Sequence, residues 1–240
     1  MAKRLDNIDF LLDSINLDEF KLQCNLWGID FVEAVKTFSI YNLPSSTRCI
    51  ALDHLYWIDK NGKEVDAPQT VDGLFGCANS NVTSLKGSPR EIKGSFYCNI
   101  NHLKTLEGAP MRVDGSFDCS DTEITTLKGS PQEVGRDFVC AMNSELVSLE
   151  GGPQKVGGCF DCEHTAISSL DGAPSYIGAS LYCRAGTHVS KEQEIECIKS
   201  FNYSHSEIDK WKKVHIDSTG HYREMKLEKD DENRKHFVSK

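Results

Sequence analysis
The sequence predicts an α+β protein built on a parallel β-solenoid of about six rungs, with a helical N-terminal cap and an α+β C-terminal cap. Three observations predict it. Six cysteines, Cys77, Cys98, Cys119, Cys140, Cys162 and Cys183, follow one another at 21, 21, 21, 22 and 21 residues. Pro68, Pro89, Pro110, Pro131, Pro153 and Pro174 keep the same beat. Phe75, Phe96, Phe117, Phe138 and Phe160 each stand two places before a cysteine, with Leu181 in the last copy. A fixed period of this length is the signature of stacked repeats.

Three more columns hold the register. Leu85, Leu106, Leu127, Leu149 and Leu170 each have a glycine two residues on. Val71, Ile92, Val113, Val134, Val156 and Ile177 come three residues after the prolines, and Val82, Leu103, Ile124, Leu146 and Ile167 lie between cysteine and leucine. Phe-x-Cys has period 2, so both side chains leave a short strand on the same side. Glycine and proline ahead of it turn the chain back. One rung cannot bury its Phe, Val and leucines alone, whereas stacked rungs share a continuous core. At about 4.8 Å per parallel strand, six rungs make a coil on the order of 25–30 Å long. The one extra residue lies between Cys140 and Leu146 and is expected to bulge in the loop after that strand.

These residues resemble the leucine-rich repeat family. "FYCNINHL" and "FVCAMNSEL" follow its Leu-x-Leu-x-x-Asn-x-Leu core, with Phe and Cys for the strand leucines and Asn101 and Asn143 on its asparagine column. Elsewhere that column holds Ser80, Thr122, Thr165 and Gly186. The repeat length and the proline-containing back wall are similar to the short repeats of bacterial effectors. The "SLxGxPxxVxGxFxC" wording resembles repeat proteins carried by tailed bacteriophages. The resemblance covers roughly residues 66–189. It implies a leucine-rich-repeat-like scaffold that binds proteins and, for the phage type, a host or defence protein as the partner that is blocked.

Residues 1–66 are expected to form a helical cap with a hairpin, 67–189 the solenoid, and 190–240 a helix and hairpin cap. In the first part, Phe10, Leu11 and Ile15 share one helical face, and Phe31, Val32, Val35 and Phe38 another. "LYWIDKNGKEV" reads as a hairpin around Asn61-Gly62. This cap would cover Phe75, which otherwise faces water, since solenoids need polar ends. In the last part, Ser190 with Gln193 starts a helix through about Ser200, and "SEIDKWKKV" suggests a second. A hairpin is expected around Ser218-Thr219-Gly220, and the charged "KDDENRKHFVSK" is expected to fray.

Charge limits the partners. The formal net charge is −9, with 7 basic and 11 acidic side chains in residues 1–66, 9 and 14 in 67–189, and 11 and 11 in 190–240. No segment is a basic patch, which argues against nucleic acid and anionic membranes. Asp6, Asp9 and Asp13 interrupt the start, unlike a signal peptide, and no run approaches the ~20 apolar residues of a membrane helix. Ten cysteines without an export signal point to free thiols in a reducing cytoplasm, the host's for a phage protein.

Catalytic chemistry finds little support. A nucleophilic thiol needs one site and a base, whereas this cysteine recurs in every rung as a small packing residue. "CFDC" at 159–162 places its cysteines on opposite faces of a strand, where they cannot share one ion. His215 and His221, with Asp217 near, flank the last hairpin and suggest at most a solvated pair. No cofactor or metal is expected, and a non-enzymatic binding module is. The outward columns between the buried residues vary from rung to rung. They name Tyr97, Asn99, Asp118, Asp121, Asp161, Glu163, Tyr182 and Arg184 as the candidate binding face. Its acids suit another protein with a basic surface. The alternative is an enzyme or effector whose activity lies in the terminal parts, with the repeats as recognition module or spacer.

Overall fold
A computed structural model of the chain describes residues 15–43 and 46–200, and the strands His215–Ile216, Tyr222–Arg223, Met225–Lys229 and Lys235–Ser239. Its centre is a parallel β-solenoid. One sheet stacks Phe75–Gly76, Phe96–Tyr97, Phe117–Asp118, Phe138–Val139, Phe160–Asp161 and Leu181–Tyr182; we call it the Phe sheet. The opposite wall, the Val sheet, stacks Thr70–Val71, Glu91–Ile92, Arg112–Val113, Glu133–Val134, Lys155–Val156 and Tyr176–Ile177. Each strand pairs in register with its repeat equivalents, so identical columns stack directly.

The columns fill the core as the repeat requires. Every Phe, Cys and Val/Ile of the unit, and Leu181, is buried. The phenylalanine rings stack from Phe75 to Phe160, with neighbouring centroids 5.8, 5.5, 5.3 and 5.5 Å apart. The thiols of Cys98, Cys119, Cys140 and Cys162 each donate to a carbonyl of the next rung, at 3.4, 3.5, 3.3 and 3.4 Å. Burial pushes all four thiols well up, so they are packing groups and not thiolates. The glycine after each leucine is forced. Gly129 has φ +92°, and a Cβ there would meet the backbone of Leu106 at 2.5 Å.

Asn101 and Asn143 close the turns after two of the strands. Asn101 Oδ1 accepts from the N–H groups of Ser80 and Val82 in the preceding rung, both at 3.1 Å. The asparagine ladder alternates instead of running through. Between and beyond, Thr122 and Thr165 turn their hydroxyls onto the carbonyls of Cys119 and Cys162, at 3.2 and 2.8 Å. The extra residue of the fourth repeat lies in the exposed pair Ser144-Glu145, in a turn closed by Leu146 N–H on Asn143 O at 3.0 Å. The columns on either side keep their place.

The N-terminal cap is richer in strands than expected. Helix α1 (Leu17–Trp27) starts at Asn16, which forms a capping box with Glu19, and ends at the left-handed Gly28. Helix α2 (Phe31–Phe38) is capped by Asp30. Beyond them β1 (Ser39–Asn42), β2 (Arg48–Ala51), β3 (Leu55–Ile58) and β4 (Glu64–Val65) form an antiparallel sheet of four, where only the Asn61-Gly62 hairpin of β3 and β4 was foreseen. Alternation divides this sheet between two cores. Ile50, Leu52, Tyr56 and Ile58 pack on the helices with Phe20, while Cys49, Leu55 and Trp57 join the solenoid core. Trp57 stacks on Phe75 with centroids 5.7 Å apart, and its Nε1–H donates to Gly87 O at 2.8 Å. The cap thus extends the aromatic column by one ring.

At the other end helix α3 (Lys191–Ser200) begins at Ser190, whose capping box with Gln193 forms as predicted. Val189 and Cys197 lie against the solenoid core. His215–Ile216 and Tyr222–Arg223 pair antiparallel on either side of the expected turn. Lys235–Ser239 is a strand paired with Met225–Lys229, not a frayed end: its Lys-His-Phe-Val-Ser run has enough β-forming residues to zip five pairs. The predicted helical face of Phe10 and Leu11, the helix over 206–214, and Asp217, Ser218, Thr219, Gly220 and His221 lie outside the described residues.

Candidate binding face
The outer surface of the Phe sheet carries most of the candidate residues. Gly76, Tyr97, Asp118, Val139, Asp161 and Tyr182 form one column of half-buried side chains, in register from rung to rung. Beside it run Ala78, Asn99, Ser120, Ala141, Glu163 and Arg184. The structure brings Tyr97, Asn99, Asp118, Asp161, Glu163 and Tyr182 onto this one face. Arg184 is diverted, since its Nε–H donates to Glu194 of α3 at 2.8 Å.

Asp121 sits differently. The next column, two places after each cysteine, is Asn79, Ile100, Asp121, Met142, His164 and Ala185. All but Ala185 adopt positive φ, between 51° and 60°. The backbone N–H groups of Asn79, Ile100, Asp121 and Met142 donate to carbonyls of the next rung at 3.0–3.2 Å, which holds the left-handed turn in place. Side chains of this column therefore leave the sheet at its rim. Ile100 is 48% and Met142 62% exposed.

The acids of the face serve the backbone first. Asp118 accepts from the Ser120 N–H at 2.9 Å and its hydroxyl at 2.6 Å, and Asp161 from the Glu163 N–H at 3.0 Å. Glu163 accepts from the Ala185 N–H at 3.0 Å. None of the three is in an ion pair among the described residues. Burial pushes the Asp161 carboxyl up to about 6; Glu163 and Asp118 add to the rise, against the Glu163 N–H and His164. The Tyr182 hydroxyl is also raised, chiefly by burial.

This charge has a cost in the folded chain. A carboxyl that holds its proton more tightly folded than unfolded favours folding at low pH, and that contribution fades as pH rises from about 4 to about 6. Asp161→Asn keeps an acceptor for the Glu163 N–H and removes the penalty. It is expected to stabilise the chain by roughly 1 kcal/mol at pH 7.5 and by nothing near pH 4. Thermal melts of both proteins across that range check this; a parallel pair of stability curves contradicts it.

The Val sheet presents a contrasting outer surface, which the sequence reading missed. Its outward column runs Glu91, Arg112, Glu133, Lys155 and Tyr176 in register, with opposite charges on successive strands. Lys93 bridges Glu91 and Asp114 at 3.5 and 3.9 Å, Arg112 meets Asp114 at 2.7 Å, and Lys155 lies over the Tyr176 ring. Glu91, Lys93, Arg112 and Asp114 thus pair with one another.

Other candidate chemistry is dispersed. Cys162 is in the core while Cys159 is half-buried just before the strand Phe160–Asp161, its N–H on Asp137 Oδ1 at 2.8 Å and its thiol raised by burial. His215 stands opposite Arg223. Among the described residues no group of three or more His, Cys, Asp or Glu is placed to hold a metal, and no helix is long and apolar enough to cross a membrane. Comparison with protein-family models, with curated proteins and with solved structures gave no match.

Proposed function
We propose that this chain is a non-enzymatic binding scaffold and that the outer face of the Phe sheet holds a partner protein through a basic contact surface. One contrast carries the reading. The two outer walls share a parallel register, yet on the Val sheet Glu91, Lys93, Arg112 and Asp114 pair with one another, while Asp118, Asp161 and Glu163, between Tyr97 and Tyr182, are in no ion pair among the described residues. A half-buried carboxylate held at some cost, beside aromatic side chains, suits a cation delivered by another molecule. The likeness of the repeat to those of tailed phages supports a host or defence protein as the partner, blocked by occlusion in the host cytoplasm.

The test is capture of partner from a host lysate, identification by mass spectrometry, and titration of the purified pair. Tyr97→Ala with Tyr182→Ala is expected to weaken binding on the order of 100-fold, about tenfold for each anchor, while the melting temperature moves by only about 3 °C. Arg112→Ala with Lys155→Ala, on the other wall, leaves binding unchanged. Full affinity in the tyrosine variant rules out this face. Protonation of Asp161 also gives the interaction a pH dependence, with binding weakening as pH falls through about 6.

A further inference from the structure
The rim column poses a physical problem. Left-handed backbone disfavours any side chain with a Cβ, and a β-branched one most of all. Asn79 and Asp121 are residue types that tolerate the conformation through local hydrogen bonds, but Ile100 and Met142 are not. Their side chains gain only partial cover in return, since Ile100 is about half exposed and Met142 more than half. Strain at an exposed apolar residue, held by the ladder beneath it, is the kind of local conflict found at contact sites. Two such residues flank Asp121 and adjoin the acids of the face.

Spacing identifies what fits. Successive rungs are about 4.8 Å apart, so Ile100 and Met142, two rungs apart, are separated by about 10 Å with Asp121 midway. On an α-helix, residues i and i+7 lie on one face about 10.5 Å apart, with i+3 and i+4 between them. An extended strand offers same-face side chains at about 7 Å and does not match. A second copy of this chain would set Asp118, Asp121, Asp161 and Glu163 against themselves, with like charges opposed.

We infer that the rim seats an amphipathic basic helix of the partner, laid along the solenoid axis, with apolar side chains at i and i+7 on Ile100 and Met142 and Lys or Arg at i+3 and i+4 on Asp121. This rests on the binding-scaffold reading and names the partner's contact element. Asp121, predicted as a face residue, belongs to this rim and receives the helix's cation.

The probe is a stapled helical peptide of about 15 residues, with Leu at i and i+7 and Arg at i+3 and i+4, titrated by fluorescence anisotropy. Ile100→Asn with Met142→Asn copies the residue that already makes this turn at Asn79. It is expected to weaken peptide binding at least tenfold while the melting temperature stays the same or rises. Asp121→Asn is expected to weaken it several-fold. Three results overturn the inference: no binding to the unaltered chain, undiminished binding to the rim variant, or equal binding by a proline-interrupted peptide of the same composition. If the captured partner binds the rim variant normally but not the Tyr97→Ala, Tyr182→Ala variant, the face reading stands and the helix inference fails. If neither variant affects the partner, both fail.

Discussion

Phe117→Ala lowers the unfolding free energy by about 3–5 kcal/mol, the usual range for emptying a buried phenylalanine site. The ring is fully buried, with Phe96 at 5.5 Å on one side and Phe138 at 5.3 Å on the other, the three ring planes nearly parallel. Its loss removes a stacking surface from both neighbours at once. In a solenoid each rung touches only the rungs beside it, so stability is close to a sum of rungs and interfaces. A cavity in a middle rung therefore weakens two interfaces and also uncouples the halves on either side. Urea unfolding followed by circular dichroism and by tryptophan fluorescence is expected to lose coincidence in this variant. Leu181→Ala, in a strand with a rung on one side only, is expected to cost less, about 2–3 kcal/mol, and to leave the two probes coincident. A loss below about 1 kcal/mol for Phe117→Ala contradicts a continuous aromatic stack.

Repetition made the core legible and hid what lies beside it. Phe, Cys, Val and Leu recur with a common period, and every one of those columns is buried. Trp57 was illegible by the same means: it stands 18 residues before Phe75, off the period, yet supplies the next ring of the stack. The Val sheet was missed because no apolar side chain recurs two places after its Val or Ile, as that of Cys does after Phe, so no alternation shows. A signal was present. The residue before each Val or Ile alternates in sign through Glu91, Arg112, Glu133 and Lys155, which in-register parallel strands would reward.

The candidate site was legible in part for a different reason. Once Phe and Cys are known to point inward, Tyr97, Asp118, Asp161 and Tyr182 must point outward, and they do. Arg184 could not be foreseen in its pairing with Glu194, because that contact depends on how α3 folds back over the last rung. The left-handed rim was concealed by its own sequence. Glycine usually marks such a turn, but Ile100 and Met142 argue for strand. Local preference and observed conformation disagree there, and the disagreement is what singles the rim out.

Asn143 is the polar counterpart of Phe117, and its removal is expected to be nearly as damaging. The side chain is wholly buried and uses both ends. Oδ1 accepts from the Thr122 N–H and hydroxyl, both at 2.7 Å, while Nδ2 donates to the carbonyls of Cys119 at 3.0 Å and Cys140 at 2.9 Å. One amide therefore ties two rungs together beside the turn that holds the extra residue of the fourth repeat. Asn143→Leu preserves approximate volume but leaves the Thr122 N–H and the two carbonyls short of partners at a wholly buried position. At about 1–3 kcal/mol per stranded group, partly relieved by the Thr122 hydroxyl turning fully to Cys119 O, the expected loss is about 3–5 kcal/mol. Asn143→Thr gives the comparison that separates hydrogen bonding from packing. Threonine holds this column in the neighbouring rungs, where its hydroxyl donates to the carbonyl three residues back. It should recover the Cys140 contact and cost only about 1–2 kcal/mol. Equal losses for Leu and Thr would show that shape, and not the amide, is what this turn requires. A smaller loss for Thr assigns the difference to the bonds themselves.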